Sequence, residues 1–221
     1  IRMFCDSPGG MLEKWCSGHK DHSLFGFSRY AICSVALDRK RKLGITPTVW
    51  FPAFICRDAL VPLDLLGFPI RFYDVFDEMG YRGASVLFDK ARNGVDIIVY
   101  VHYFGSIDCS GLPEFAEFAK RNDLILVEDA AHCPMPEGKV SLYGDYTYFS
   151  LYKHYPLREG SLLLARNLRI STTAEELSDL FREMNLSERV TDGILNDITW
   201  WVREICRSYF GSFWKNTSSR S

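Results

Sequence analysis

Two residues of opposite charge stand where a parallel sheet places its chemistry. Residues 124–127 are apolar and end abruptly in Glu128 and Asp129. A short buried strand reads this way, and ligands of open α/β sheets sit at the carboxyl ends of such strands. A second run, Tyr146–Ser150, ends in a hydroxyl, and Lys153 follows closely. A lysine and a carboxylate at the tips of two strands are the minimum parts for holding pyridoxal phosphate (PLP). The amine takes the aldehyde, and the carboxylate pairs with the pyridine nitrogen. Each residue alone has a plainer reading: acids at strand ends cap helices, and a single loop lysine is solvated. The order of the pair, with His132, Ser150 and Glu159-Gly160 around it, favours the joint role.

The elements that must position these residues follow from periodicity. Residues 28–43 read as a helix, with Ser28 as N-cap and Gly44 as stop. Residues 48–51 form a strand halted by Pro52, and helical spacing follows as far as Gly67. Strands are expected over 68–74 and 96–103, and helices over 84–92 and 112–121. Strands therefore alternate with helices from about residue 28 to 165. That pattern is an α/β domain with crossover helices and a mostly parallel sheet. Beyond Ala165 the text turns helical: 172–184 opens with Thr172 or Thr173 as N-cap, and 193–210 is rich in aromatics. The aromatic run reads as a stripe packing on the large domain or a second subunit, with a membrane-surface helix as the alternative.

Composition narrows the partners. The chain has 221 residues, 47% of them hydrophobic, enough for one sizeable core and an appendage. A net charge of −2 gives no support to a nucleic-acid partner. The seven cysteines are scattered, odd in number and never spaced C-x-x-C, which fits free thiols in a reducing compartment. No apolar run nears the roughly 18 residues of a membrane span, and the first residues lack the apolar core of a signal peptide. A cytoplasmic protein without membrane contact is expected. The motifs of P-loop, dinucleotide-binding and zinc-protease sites are absent from the sequence.

The segments VEDAAH and GDYTYFSLYK, followed by REGSLLL, resemble the DegT/DnrJ/EryC1/StrS family of PLP-dependent sugar aminotransferases. The resemblance covers about residues 25–170. It implies a fold-type I large domain, three-layered α/β/α with a mostly parallel sheet, over residues 26–168. Residues 1–25 would be an N-terminal arm, and 169–221 a helical segment in place of most of the small C-terminal domain. It also implies that Lys153 carries the cofactor, Asp129 holds its pyridinium nitrogen, His132 lies against its phenolic oxygen and Ser150 binds its phosphate. The N-terminus of helix 28–43, with Arg29 and Tyr30, would face that phosphate, although an arginine facing water is an equal reading. Position matching puts Cys56 where an aromatic residue often stacks on the pyridine ring. Nearby Phe54 reads better as core packing. His102, in the family's V-H-x-x-G pattern, reads better as a hydrogen-bonded structural residue than as a catalytic one.

Two departures stand out: the loop from Ser150 to the lysine is short, and Ser161 replaces the second glycine of E-G-G. A branch of the family uses histidine in place of the lysine, and His154 is adjacent. The distance to Glu159 favours Lys153. The activity implied is transfer of an amino group from glutamate to a nucleotide-linked keto-sugar by a homodimer. The alternative is a non-catalytic or fragmentary relative acting as a binding module.

Overall fold

The computed structural model describes residues 11–74, 76–77, 80–81, 96–107 and 111–184. The helices expected over 84–92 and 193–210 lie outside these residues.

Three strands in the middle of the sheet, β6 (Ile97–Val101), β8 (Tyr146–Ser150) and β9 (Ser161–Ala165), are buried at every position. Such strands need cover on both faces, and the chain provides it. Together with β1 (Asp21–Phe25), β2 (Val49–Pro52), β3 (Ile70–Tyr73) and β7 (Ile125–Asp129) they form a seven-stranded sheet in the order β1-β9-β8-β7-β6-β2-β3. The run from β8 to β3 is parallel, and β9 is antiparallel to both of its neighbours. A separate two-stranded hairpin pairs β4 (Phe76–Asp77) with β5 (Gly80–Tyr81).

Side chains alternate across each strand, so each face has its own core. On one face Val127, Tyr146, Tyr148, Leu163 and Ala165 pack with Ala31, Ile32 and Val35 of helix α2 (Ser28–Leu43). Leu63 of the short helix α3 (Val61–Leu65) and Phe181 of α5 (Ala174–Glu183) join this core. On the other face, Leu112, Phe115 and Phe118 of α4 (Leu112–Arg121) cover Ile98, Tyr100 and Leu126. Farther along that face, Trp15 of α1 (Met11–Cys16) packs on Phe149, with ring centroids 5.2 Å apart. The result is the expected three-layer α/β/α arrangement.

Local chemistry sets the element ends. Gly44 stops α2 in the left-handed conformation (φ 72°), its N–H bonded to the Lys40 carbonyl. Thr173 caps α5 in a capping box with Glu176.

Three expectations shift. Asp21–Phe25, read as part of an arm, is instead an edge strand in register with Ser161–Ala165. The helical run after Pro52 breaks into a 3-10 turn (Arg57–Ala59) and α3, with Pro62 admitted at the first turn because its missing N–H is needless there. Ser28 is not the N-cap of α2. Phe27 occupies that place without a side-chain cap, and the Ser28 hydroxyl is used elsewhere.

Candidate active site

Asp129 ends β7 on the α2 face and is 7% exposed. Its Oδ1 accepts the Ala131 N–H at 2.9 Å, which fixes the carboxylate at the strand tip. In the parallel register Asp129 lies beside Tyr148 of β8, and both side chains leave the sheet on the same side. The Tyr148 phenol therefore stands on the Asp129 side of the sheet. Burial first, and then the carboxylate, push this phenol well above its usual range. Tyr103, just past β6, donates its hydroxyl to the Phe54 carbonyl at 2.7 Å. Burial and then the Asp129 charge raise its pKa.

Lys153 closes a 3-10 turn (Leu151–Lys153) that starts where β8 ends, and it is exposed. His132 registers the proximity of both charged groups. Burial and then the Lys153 ammonium lower its pKa, while Asp129 pulls it upward. The lysine, the imidazole and the carboxylate thus share one neighbourhood at the carboxyl ends of β7 and β8. His154 donates Nε2–H to the Ala131 carbonyl at 3.3 Å, which ties the lysine turn to the segment carrying His132. The chain after β6 closes on the same segment: a Cβ at Gly105 (φ +74°) would meet the His132 carbonyl oxygen at 2.6 Å.

Ser150 is fully buried, and its hydroxyl lies 2.8 Å from that of Ser28. The two residues are 122 positions apart. The N-terminus of α2 carries no side-chain cap and no acidic residue in its first turn. Free N–H groups and the helix dipole therefore offer an anion a place beside these hydroxyls.

The other anticipated site residues separate. Arg29 turns to Asp58, Nη1 to Oδ2 at 2.7 Å, with its guanidinium 4.2 Å from the Phe27 ring centroid. Tyr30 packs on Phe181 at 5.6 Å between centroids. Cys56 is exposed on the segment after β2. Phe54, expected in the core, is 58% exposed with its ring 5.6 Å from Tyr103.

His102 points away from Asp129. It bonds Glu128 Oε2 at 2.8 Å, and Glu128 alternates to the opposite face of β7. Glu128 also accepts N–H bonds from Ser141 (2.7 Å), Tyr143 (3.0 Å) and Gly144 (2.5 Å), which hold the loop entering β8. Sequence reading missed Tyr148, Tyr103 and Ser28 as neighbours of the site. Tyr148 could have been found by counting two residues back from Ser150; nothing local marks the other two. Among the described residues no cluster of His, Cys, Asp and Glu could hold a metal ion, and no helix is long and apolar enough to cross a membrane.

The sequence matches no protein-family model and no curated protein. Solved structures do match in fold. Helicobacter pylori PseC, an aminotransferase of pseudoaminic acid biosynthesis, aligns over 80% of this chain and 48% of its own length, with 17% identity and a TM-score of 0.59. DesI, determined in the presence of its TDP-sugar product, aligns over 77% and 42%, with 18% identity and a TM-score of 0.55. NtdA of Bacillus subtilis, with its cofactor PMP bound, aligns over 73% and 38%, with 17% identity and a TM-score of 0.53.

The fold is that of the fold-type I PLP-dependent aminotransferases. The chain spans less than half the length of each of these three structures.

Proposed function

We propose that this chain forms the large domain of a PLP-dependent aminotransferase. The observation that carries the reading is the meeting of Lys153, His132 and Asp129 at the tips of β7 and β8, with paired serines at an uncapped helix end beside them. That donor set fits PLP: hydroxyls and helix N–H groups suit a dianionic phosphate, a buried carboxylate suits a ring nitrogen, and a lysine suits an aldehyde.

The cofactor, when bound, supplies an electron sink for the carbanion left when a substrate C–H proton departs. The side chains do the rest. Lys153 Nζ would tether the aldehyde and, once released, would take the proton from the substrate carbon and deliver it to the cofactor's aldehyde-derived carbon. Asp129 would keep a proton on the pyridine nitrogen, and its hydrogen bond from the Ala131 N–H holds it in place. His132 would lie toward the phenolic oxygen, and Ser28 and Ser150 would hold the phosphate. Arg29, paired with Asp58, and Tyr30, packed on Phe181, brace the N-terminus of α2. The names of the fold neighbours support a keto-sugar carried on a nucleotide diphosphate as acceptor. Glutamate is the donor, the working unit is a cytoplasmic homodimer, and the cofactor domain begins ahead of residue 26, since β1 belongs to its sheet.

Mass mapping should find a borohydride-stable PLP adduct on the native chain, and Lys153→Ala should abolish it. An adduct of equal yield in the variant would refute the assignment. One observation favours a second reading, a binding module without the chemistry: Arg29, in the first turn of α2, is paired with Asp58. A colourless protein that takes up no added PLP would select it.

A further inference from the structure

Ser161 opens β9, is fully buried, and its Oγ has no hydrogen-bond partner. A buried hydroxyl without a partner asks for an explanation, because folding strips it of water and returns nothing. Its position supplies one. In the antiparallel register Ser161 stands directly opposite Ser150, so both side chains leave the sheet on the same face. Ser150 meets the Ser28 hydroxyl there at 2.8 Å. On its other side Ser161 is in register with Phe25, and the preceding Gly160 N–H donates to the Gly26 carbonyl at 2.7 Å. Those two contacts draw the start of β9 against the residues that lead into α2. Ser161 thus lies under the helix end that has neither side-chain cap nor acidic residue.

We propose that Ser161 is a third hydroxyl of a phosphate-binding site formed with Ser28, Ser150 and the N-terminus of α2. Its ligand class is a phosphate monoester dianion. Naming PLP as the ester rests on the reading above; the phosphate site itself does not. The resembled family has glycine at this position, so the third hydroxyl is particular to this chain. Three hydroxyl donors and a helix end would hold the dianion.

The test uses the full chain with inorganic phosphate alone, measured by calorimetry, and compares it with Ser161→Ala. The variant should bind phosphate about five- to tenfold more weakly, the loss of roughly one hydrogen bond. Without phosphate it should be at least as stable as the native chain, since the substitution removes an unpaired buried hydroxyl. A merely structural serine would show the reverse: lower stability and unchanged affinity. Equal affinity in the two proteins, or no phosphate binding by the native chain, overturns the proposal. Added PLP should compete with phosphate. Competition without a borohydride-stable adduct on Lys153 supports the phosphate site and sinks the aminotransferase reading.

Discussion

Replacing Glu128 by glutamine swaps one carboxylate oxygen for an amide while keeping the shape. Glu128 is fully buried and accepts four hydrogen bonds, two on each oxygen. The cheaper orientation keeps the amide oxygen on Tyr143 and Gly144. The NH2 then faces the Ser141 N–H and the His102 ring. The Ser141 donor, buried and without its acceptor, costs about 1–3 kcal/mol. The two retained bonds lose their charge assistance, roughly 1 kcal/mol each. The expected loss is therefore about 3–5 kcal/mol, a large part of the ~5–15 kcal/mol that holds a typical domain together. Glu128→Ala should lose more, because it also opens a cavity. Urea unfolding followed by circular dichroism, extrapolated linearly to water, reads the difference. A Glu128→Gln variant within about 0.5 kcal/mol of the native chain would mean that the loop entering β8 does not depend on these bonds, and the account of Glu128 would fail.

Three further outcomes follow from the site and its supports. His132 should titrate below its ordinary 6.5, and Lys153→Ala should move it upward by removing the ammonium beside it; NMR of the ring protons checks both. Because the folded-state pKa is depressed, the unfolded chain binds the proton more readily between that value and 6.5. Stability should therefore rise with pH across that window and fall on acidification, less steeply in Lys153→Ala. Gly105→Ala puts a Cβ 2.6 Å from the His132 carbonyl oxygen at a left-handed φ. It should cost about 1–3 kcal/mol in denaturant unfolding and shift the His132 resonances. Thr173→Ala removes the capping box of α5 and should cost about 1 kcal/mol in the same assay without altering phosphate affinity.

The chemistry at the strand tips was legible because it is local. Asp129 follows an apolar run, and Lys153 follows a strand that ends in Ser150. Both placements need only the rule that parallel strands deliver ligand-binding groups at their carboxyl ends. The helices 112–121 and 174–183 were legible for a similar reason: their apolar positions recur every three or four residues, and Thr173 and Glu176 mark a start. Phe54 and Arg29 were misjudged because type is a poor guide to partner. An aromatic residue looks like core until a neighbouring ring such as Tyr103 meets it at the surface. An arginine at a helix start looks like an anion ligand until Asp58 reaches it from the segment after β2.

The amino-acid sequence by itself determined the strands from β2 to β9 that carry the site's residues, the helices 28–43 and 112–121, the α/β class, and the order in which a carboxylate and a lysine reach the carboxyl ends of the sheet. Periodicity and composition suffice for that, since each is a property of neighbours along the chain. Only the tertiary structure decided that Asp21–Phe25 joins the sheet, that Glu128 turns from the site to hold a loop, and that Ser28 meets Ser150. Those outcomes depend on strand register and on which face a side chain leaves by. A one-residue slip reverses every face of a strand, so residues far apart in the chain can meet only after the sheet has fixed its pairing.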